Sequence, residues 1–258
     1  MELMVSVKDG EVWADDSGGS GLPLVLLHPG IGDSTIWDKL LPHLVQNHRV
    51  IQYDARGFGR SPAPAAPYSQ AADLAAVLDH FELARAVLVG TSMGGATALS
   101  LAVGDPGRVA GLALFCPGVT GYEGLAAPEF MAQVEAFAKS GDMDGLLALC
   151  LRTWGAAGTG DDPEAVAQLR GALPSWFTTH PHQVPDPPAF DRLGELAVPC
   201  LLALGEQDQP EVVRCNEEMA AQIPGCRLVR MPGCDHLPTL RAPEAVAQLI
   251  LELCEGVR

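Results

Sequence analysis

Residues 87–96, Val-Leu-Val-Gly-Thr-Ser-Met-Gly-Gly-Ala, carry the strongest chemical signal in the 258-residue sequence. An apolar run leads into Gly90-x-Ser92-x-Gly94, and an alanine-rich stretch follows. Strand, sharp turn and helix in that order are the setting in which a serine becomes a nucleophile. A side chain at the apex of such a turn needs small residues two positions away on either side, and Gly90 and Gly94 supply them. The turn lifts the hydroxyl off the backbone, and the positive end of the next helix lies beside it. The plain structural alternative is a serine that caps a helix in a glycine-rich turn.

A serine hydroxyl attacks poorly without a base and a third group that orients the base. The sequence offers both downstream, in the order serine, acid, histidine. Residues 200–208 run from an apolar strand into a turn with two carboxylates, Glu206 and Asp208. Asp208 lies further into the loop and precedes Gln209-Pro210, which favours it over Glu206. Residues 231–238, Met-Pro-Gly-Cys-Asp-His-Leu-Pro, place His236 after the last strand. His43, His48 and His80 fall on or beside helices, and His180 and His182 precede the acid. Asp235 reads as a turn carboxylate. Ser92, Asp208 and His236 are therefore the candidate catalytic residues.

Positioning these groups takes a regular scaffold, and the sequence has its rhythm. Two short strands flank Asp9-Gly10, a dipeptide suited to a tight hairpin turn. Apolar runs at residues 24–27, 50–53, 86–89, 111–115, 199–204 and 227–231 then alternate with helix-like stretches at 36–45, 69–81, 93–103, 211–223 and 243–254. In residues 69–81 the apolar side chains Leu74, Val77, Leu78 and Phe81 recur at helical spacing. Antiparallel strands followed by βαβα alternation predict an α/β protein with a mostly parallel sheet covered on both faces. The rhythm breaks between residues 120 and 191, where helix-like pieces at 128–138, 144–153 and 163–173 end in a proline-rich run. That stretch reads as a helical lid between strands, since its bulky apolar side chains need something to cover. A variable surface excursion is the alternative.

At this point the sequence resembles the α/β-hydrolase-fold serine hydrolases, over nearly the whole chain outside the lid. The resemblance implies about eight strands flanked by helices, with the lid inserted after the sixth. The core then comprises residues 1–119 and 192–258, and the lid residues 120–191. In such enzymes the loop after the third strand helps to bind an oxyanion. Its match here is residues 26–32, Leu-Leu-His-Pro-Gly-Ile-Gly, with Pro29 where glycine is usual. The family's donor comes from the following residue, Gly30, with Met93 as its partner and Ile31 as an alternative. Residues 53–61 match a D-x-R-G-x-G-x-S loop in which Arg56 reads as a structural ion-pair partner. His28 reads as a loop-orienting residue. The branch most resembled is that of small ester and lactone hydrolases, either 3-oxoadipate enol-lactonase-like or non-haem haloperoxidase-like. It implies cofactor-free and metal-free cleavage of an ester, lactone or thioester through an acyl-enzyme on Ser92. A C–C bond hydrolase or perhydrolase using the same residues, and a non-catalytic receptor, are the alternatives. Met131, Trp154, Trp176 and Phe177 are candidates for an apolar wall around the substrate. Arg152 is a candidate carboxylate ligand or a solvated arginine. Ile31, Cys116 and Leu237 are further candidate substrate contacts.

Composition excludes other classes. Lys and Arg number 16 against 32 Asp and Glu, a formal charge of −16. So acidic a surface repels phosphate backbones and anionic headgroups, which argues against nucleic-acid and membrane partners. A small-molecule substrate and a monomer or homodimer are expected. The seven cysteines include no C-x-x-C pair, which argues against a disulfide framework or zinc cluster. With no visible signal peptide or bilayer-length apolar run, a reduced, cytoplasmic setting is expected. The charge also predicts that a strongly anionic substrate needs a local cation in the pocket.

Overall fold

In the computed structural model, which describes residues 1–125, 127–158 and 162–257, the β-branched and leucine-rich runs form one sheet. Its strands are β1 (Glu2–Val7), β2 (Gly10–Asp16), β3 (Leu24–Leu27), β4 (Val50–Tyr53), β5 (Ala86–Thr91), β6 (Val109–Phe115), β7 (Cys200–Gly205) and β8 (Arg227–Met231). They lie in the order β1-β2-β4-β3-β5-β6-β7-β8. β1 pairs antiparallel with β2 and β2 with β4, and all other pairings are parallel. The hairpin register pairs Val7 with Gly10. The turn therefore centres on Lys8 and Asp9, one residue before the expected dipeptide, and Asp9 takes the positive φ of 55°.

Alternation along the parallel strands sorts side chains to two faces. Val25, Leu27, Leu88, Leu112, Leu114 and Leu202 pack on one face, against helices α2 (Gln70–His80), α3 (Met93–Gly104) and α7 (Pro210–Gln222). Leu24, Leu26, Val87, Val89, Ala113 and Leu201 pack on the other, with α1 (Leu41–Leu44) and α9 (Pro243–Glu255). Between β6 and β7 the chain leaves the sheet for α4 (Pro128–Ser140), α5 (Met143–Trp154) and α6 (Pro163–Thr179), and α8 (Pro238–Arg241) follows β8. No helix among the described residues is long and apolar enough to cross a membrane.

Two helices depart from expectation. Residues 36–45 do not form one helix. A 3-10 turn, Ser34–Trp37, is capped by Asp33 Oδ1 accepting the Thr35 N–H, and the four-residue α1 with Pro42 in its first turn follows. α6 does not stop at Leu173 but runs through Pro174 to Thr179. Proline normally breaks a helix interior. Here tertiary bonds hold the extra turns: Ser175 Oγ donates to the Gly57 carbonyl at 2.5 Å and Trp176 Nε1 to the Gly30 carbonyl at 2.6 Å.

The order β4-β3-β5 means that the chain turns one way after β3 and the other way after returning to β5. Ligand crevices in open α/β sheets form at such a reversal, beyond the carboxyl ends of the strands. The loop at residues 28–32 leaves β3 there, and Ser92 leaves β5 beside it.

Candidate active site

Ser92 sits at φ 50° and ψ −112°, between β5 and the first residue of α3. Such a conformation is strained for a residue with a Cβ and persists only where the surroundings enforce it. Here three backbone bonds do so. The Ser92 N–H donates to the Phe115 carbonyl at 3.2 Å, and its own carbonyl accepts from Ala96 and Gly118 at 3.0 and 2.9 Å. Glycine is required on both sides. A Cβ on Gly90 would lie 2.6 Å from the Gly94 carbonyl oxygen, and one on Gly94 would overlap the Leu27 carbonyl.

The loops after β7 and β8 bring the other two groups to this serine. His236 Nε2 lies 2.8 Å from Ser92 Oγ, and His236 Nδ1 lies 2.6 Å from Asp208 Oδ2. Asp208 is buried, whereas Glu206 is exposed at the turn, so the structure chooses between the two carboxylates. The other Asp208 oxygen accepts the Gln209 N–H at 2.7 Å. With Nδ1 donating to the carboxylate, Nε2 is left to accept the serine proton.

The expected backbone donors, Gly30 and Met93, both border the smaller cavity. A Cβ on Gly30 would be 3.4 Å from Met93 Sδ, so Gly30 lies against the Met93 side chain. His28 is fully occupied in shaping this loop: its Nδ1 donates to the Pro29 carbonyl at 2.8 Å and its Nε2 accepts the Ala55 N–H at 2.9 Å. Arg56 is buried and forms a two-pronged ion pair with Asp73, at 2.7 Å for each prong.

Two cavities adjoin at the candidate site, and the serine opens into one of them. One, of about 720 Å³, is lined by Ser92 and His236 together with Cys116, Phe130, Trp154 and Gln209. The other, of about 530 Å³, is lined by Gly30 and Met93 together with Phe58, Val134, Trp176 and Phe177. Leu125, Ala127, Phe130 and Trp154 border both. The Phe130 and Trp154 rings meet edge-on at 4.9 Å, and Trp154 meets Trp176 at 5.8 Å. Met131 also lines the smaller cavity. Among the described residues, no lysine or arginine lines either one.

Several expected contacts lie elsewhere. Ile31 and Leu237 are buried in the core cluster that includes the apolar face of α9, outside both linings. Arg152 is exposed on α5, also outside both linings. Cys116 does line the larger cavity. Burial, aided by the neighbouring Asp208 charge, pushes its thiol well above the ordinary range, so it is no rival nucleophile. Cys116, Asp208 and His236 offer ligand-type atoms within 4.8 Å of one another, but a cation held there must part Asp208 from His236.

Three supporting residues had little or no sequence signal. Phe130 was hidden because it stands in a helix whose neighbour Met131 is equally apolar. Gln70 donates to Met93 Sδ at 3.1 Å and accepts from Thr97 Oγ1 at 2.7 Å, bracing the residue after the serine. Arg241 grips Asp235, the neighbour of His236, at 2.9 and 3.0 Å, and also pairs with Asp162 at the start of α6. The carboxyl end of α5 closes the assembly: the Trp154 carbonyl accepts the His236 N–H at 3.2 Å, and the Thr153 carbonyl accepts from the Gln209 side chain at 2.6 Å.

Comparison with known proteins agrees with this architecture. A stretch of 103 residues is 41% identical to the 2-hydroxymuconate semialdehyde hydrolase of Pseudomonas sp. (strain CF600) and covers 37% of this chain and 36% of that protein. The chain thus matches little more than a third of the length of that relative. Over 257 residues it is 28% identical to the pimeloyl-[acyl-carrier protein] methyl ester esterase of Neisseria meningitidis, covering 90% of this chain and 93% of that one. The solved structure of Est816, described as an N-acyl homoserine lactone degrading enzyme, superposes with a TM-score of 0.79 at 29% identity, covering 97% of this chain and 99% of that one. Residues 24–249 match the alpha/beta hydrolase family, and the chain belongs to it.

Proposed function

We propose that this protein hydrolyses small-molecule carboxylic esters or lactones through an acyl-enzyme on Ser92. The observation that carries the reading is the chain of short contacts from Ser92 Oγ to His236 Nε2 and from His236 Nδ1 to Asp208, anchored on a strained turn. His236 takes the serine proton as Oγ attacks the carbonyl, and Asp208 holds the imidazole in the required tautomer and stabilises its charged form. The N–H groups of Met93 and Gly30 receive the developing oxyanion, a contribution of about 3 kcal/mol per donor. His236 then protonates the departing alkoxide and next activates water to release the acid. Helices α4, α5 and α6 act as a lid that limits water, α4 and α5 walling both cavities and α6 the smaller one.

The esterase and lactone-degrading relatives support the ester and lactone reading. C–C bond hydrolysis by the same three residues is the second reading, favoured by the likeness to the semialdehyde hydrolase. A panel of nitrophenyl esters, lactones and a vinylogous diketone separates the two. For the serine itself, Ser92→Ala is expected to keep its circular dichroism spectrum, lose fluorophosphonate labelling, and lose at least about 10⁴-fold in kcat on nitrophenyl butyrate. Retained turnover in that variant sinks the serine mechanism.

A further inference from the structure

The cleft has two unlike halves, and the chemistry at Ser92 assigns each half to one end of an ester. In the collapse of a tetrahedral intermediate, the alkoxide must leave toward the group that protonates it. That group is His236, which lines the larger cavity together with the Ser92 hydroxyl. The alcohol portion therefore lies in the larger cavity. The acyl chain is left with the smaller one, which opens beside the backbone donors Gly30 and Met93.

The walls of the two halves differ in kind. The acyl side is mainly apolar, built from Phe58, Met131, Val134, Trp176 and Phe177 with the polar side chains of Thr179, His180 and Gln183, and among the described residues no carboxylate, lysine or arginine lines it. The alcohol side shares the Phe130 and Trp154 rings with it and adds the amides of Gln133 and Gln209 and two carboxylates, Glu129 and Glu211. Glu211 has one partner, Arg214, at 3.2 Å on the exposed flank of α7. Aromatic faces together with carboxylates suit an alkylammonium group: the ring quadrupole and the negative charge attract a cation, and the same charge repels an anion.

We infer that the preferred substrates are esters of an apolar acid with a polar alcohol that is neutral or positively charged, the cation being recognised on the alcohol side by Phe130, Trp154, Glu129 and Glu211. This rests on the ester-hydrolase reading and adds to it which end of the substrate carries charge, and of which sign. The formal charge of −16 acts in the same direction through longer-range attraction of cations.

The test compares butyrate esters of three alcohols, namely choline, its uncharged isostere 3,3-dimethylbutanol, and glycolate, with the methyl ester of 4-(trimethylammonio)butyrate, in which the cation is on the acyl side. The expected order of kcat/KM is choline ester, neutral isostere, glycolate ester, with about two- to thirtyfold between the first two. The acyl-side cation is expected to lose that advantage against methyl butyrate. In Glu129→Gln/Glu211→Gln the ratio of choline ester to neutral isostere, measured within the variant, is expected to fall toward one. Hydrolysis of the neutral ester with no preference for the cation, or a preference that survives the double substitution, overturns the assignment and leaves the ester-hydrolase reading standing. Failure to hydrolyse any of the esters, with no labelling of Ser92, overturns both.

Discussion

Ser92 illustrates how much a local pattern can say. The strained turn forces the residues at 90 and 94 to be glycine for reasons of contact with immediate neighbours, so the constraint is written in adjacent letters. Two substitutions measure that constraint. Gly94→Ala places a methyl against the Leu27 carbonyl and is expected to lower stability by about 1–3 kcal/mol and depress kcat with it. Gly171→Ala, inside α6 with open space around the added methyl, is expected instead to raise stability by about 0.5–1 kcal/mol. Urea denaturation checks both, and a neutral Gly94→Ala contradicts the packing argument. The acid and base were equally legible, since each follows an apolar run and their order along the chain is constrained. The cavity wall was not. Trp154, Trp176, Phe177 and Met131 line it as read, but Ile31, Leu237 and Arg152 do not, because whether a loop or helix residue faces a cavity depends on elements far away in sequence.

At the scale of elements, the helices between β6 and β7 are joined to the His236 loop by charge as well as by packing. Asp235 is fully buried at its side chain and accepts from Ala157, Leu237 and Arg241, and Arg241 reaches onward to Asp162 at the cap of α6. The sequence hid this clamp because Asp162 and Arg241 lie 79 positions apart and neither belongs to a motif. Removing Arg241 leaves a buried carboxylate unpaired next to the base. Arg241→Leu is therefore expected to destabilise the fold by about 3–5 kcal/mol. Arg241→Lys should fall between it and the parent, since an ammonium cannot reproduce the fork on Asp235. The order parent, lysine, leucine in both urea midpoint and kcat supports the clamp, and equal behaviour of the three removes it. The extension of α6 past Pro174 has a similar cause: bonds from Ser175 and Trp176 to Gly57 and Gly30 hold turns that propensity alone would end.

Over the whole molecule, the alternation of strands and helices announced the layered sheet, because period-two and period-3.6 patterns report which side of each element is buried. Net charge is the whole-molecule property whose physical weight can still be measured. The folded chain exposes 10972 Å², near the roughly 10,900 Å² expected of a compact monomer of 27.1 kDa. Spread over that surface, the formal charge of −16 amounts to one net negative charge per about 700 Å², a mean spacing of about 26 Å. The Debye length is about 30 Å at 0.01 M ionic strength and about 8 Å at 0.15 M. Self-repulsion is thus felt between neighbouring charges in dilute buffer and largely screened at physiological salt. The buried pairs that salt could weaken, Arg56 with Asp73 and Arg241 with Asp235, are shielded from it by burial. Screening should therefore help the folded state more than it harms it. The melting temperature is expected to rise by a few degrees between 0.01 and 0.15 M sodium chloride and then level off, as the screening length drops below the charge spacing. A melting temperature that falls over the same interval means that exposed ion pairs such as Lys39 with Glu164 and Arg227 with Glu252 outweigh the repulsion, and that the acidic surface is balanced locally.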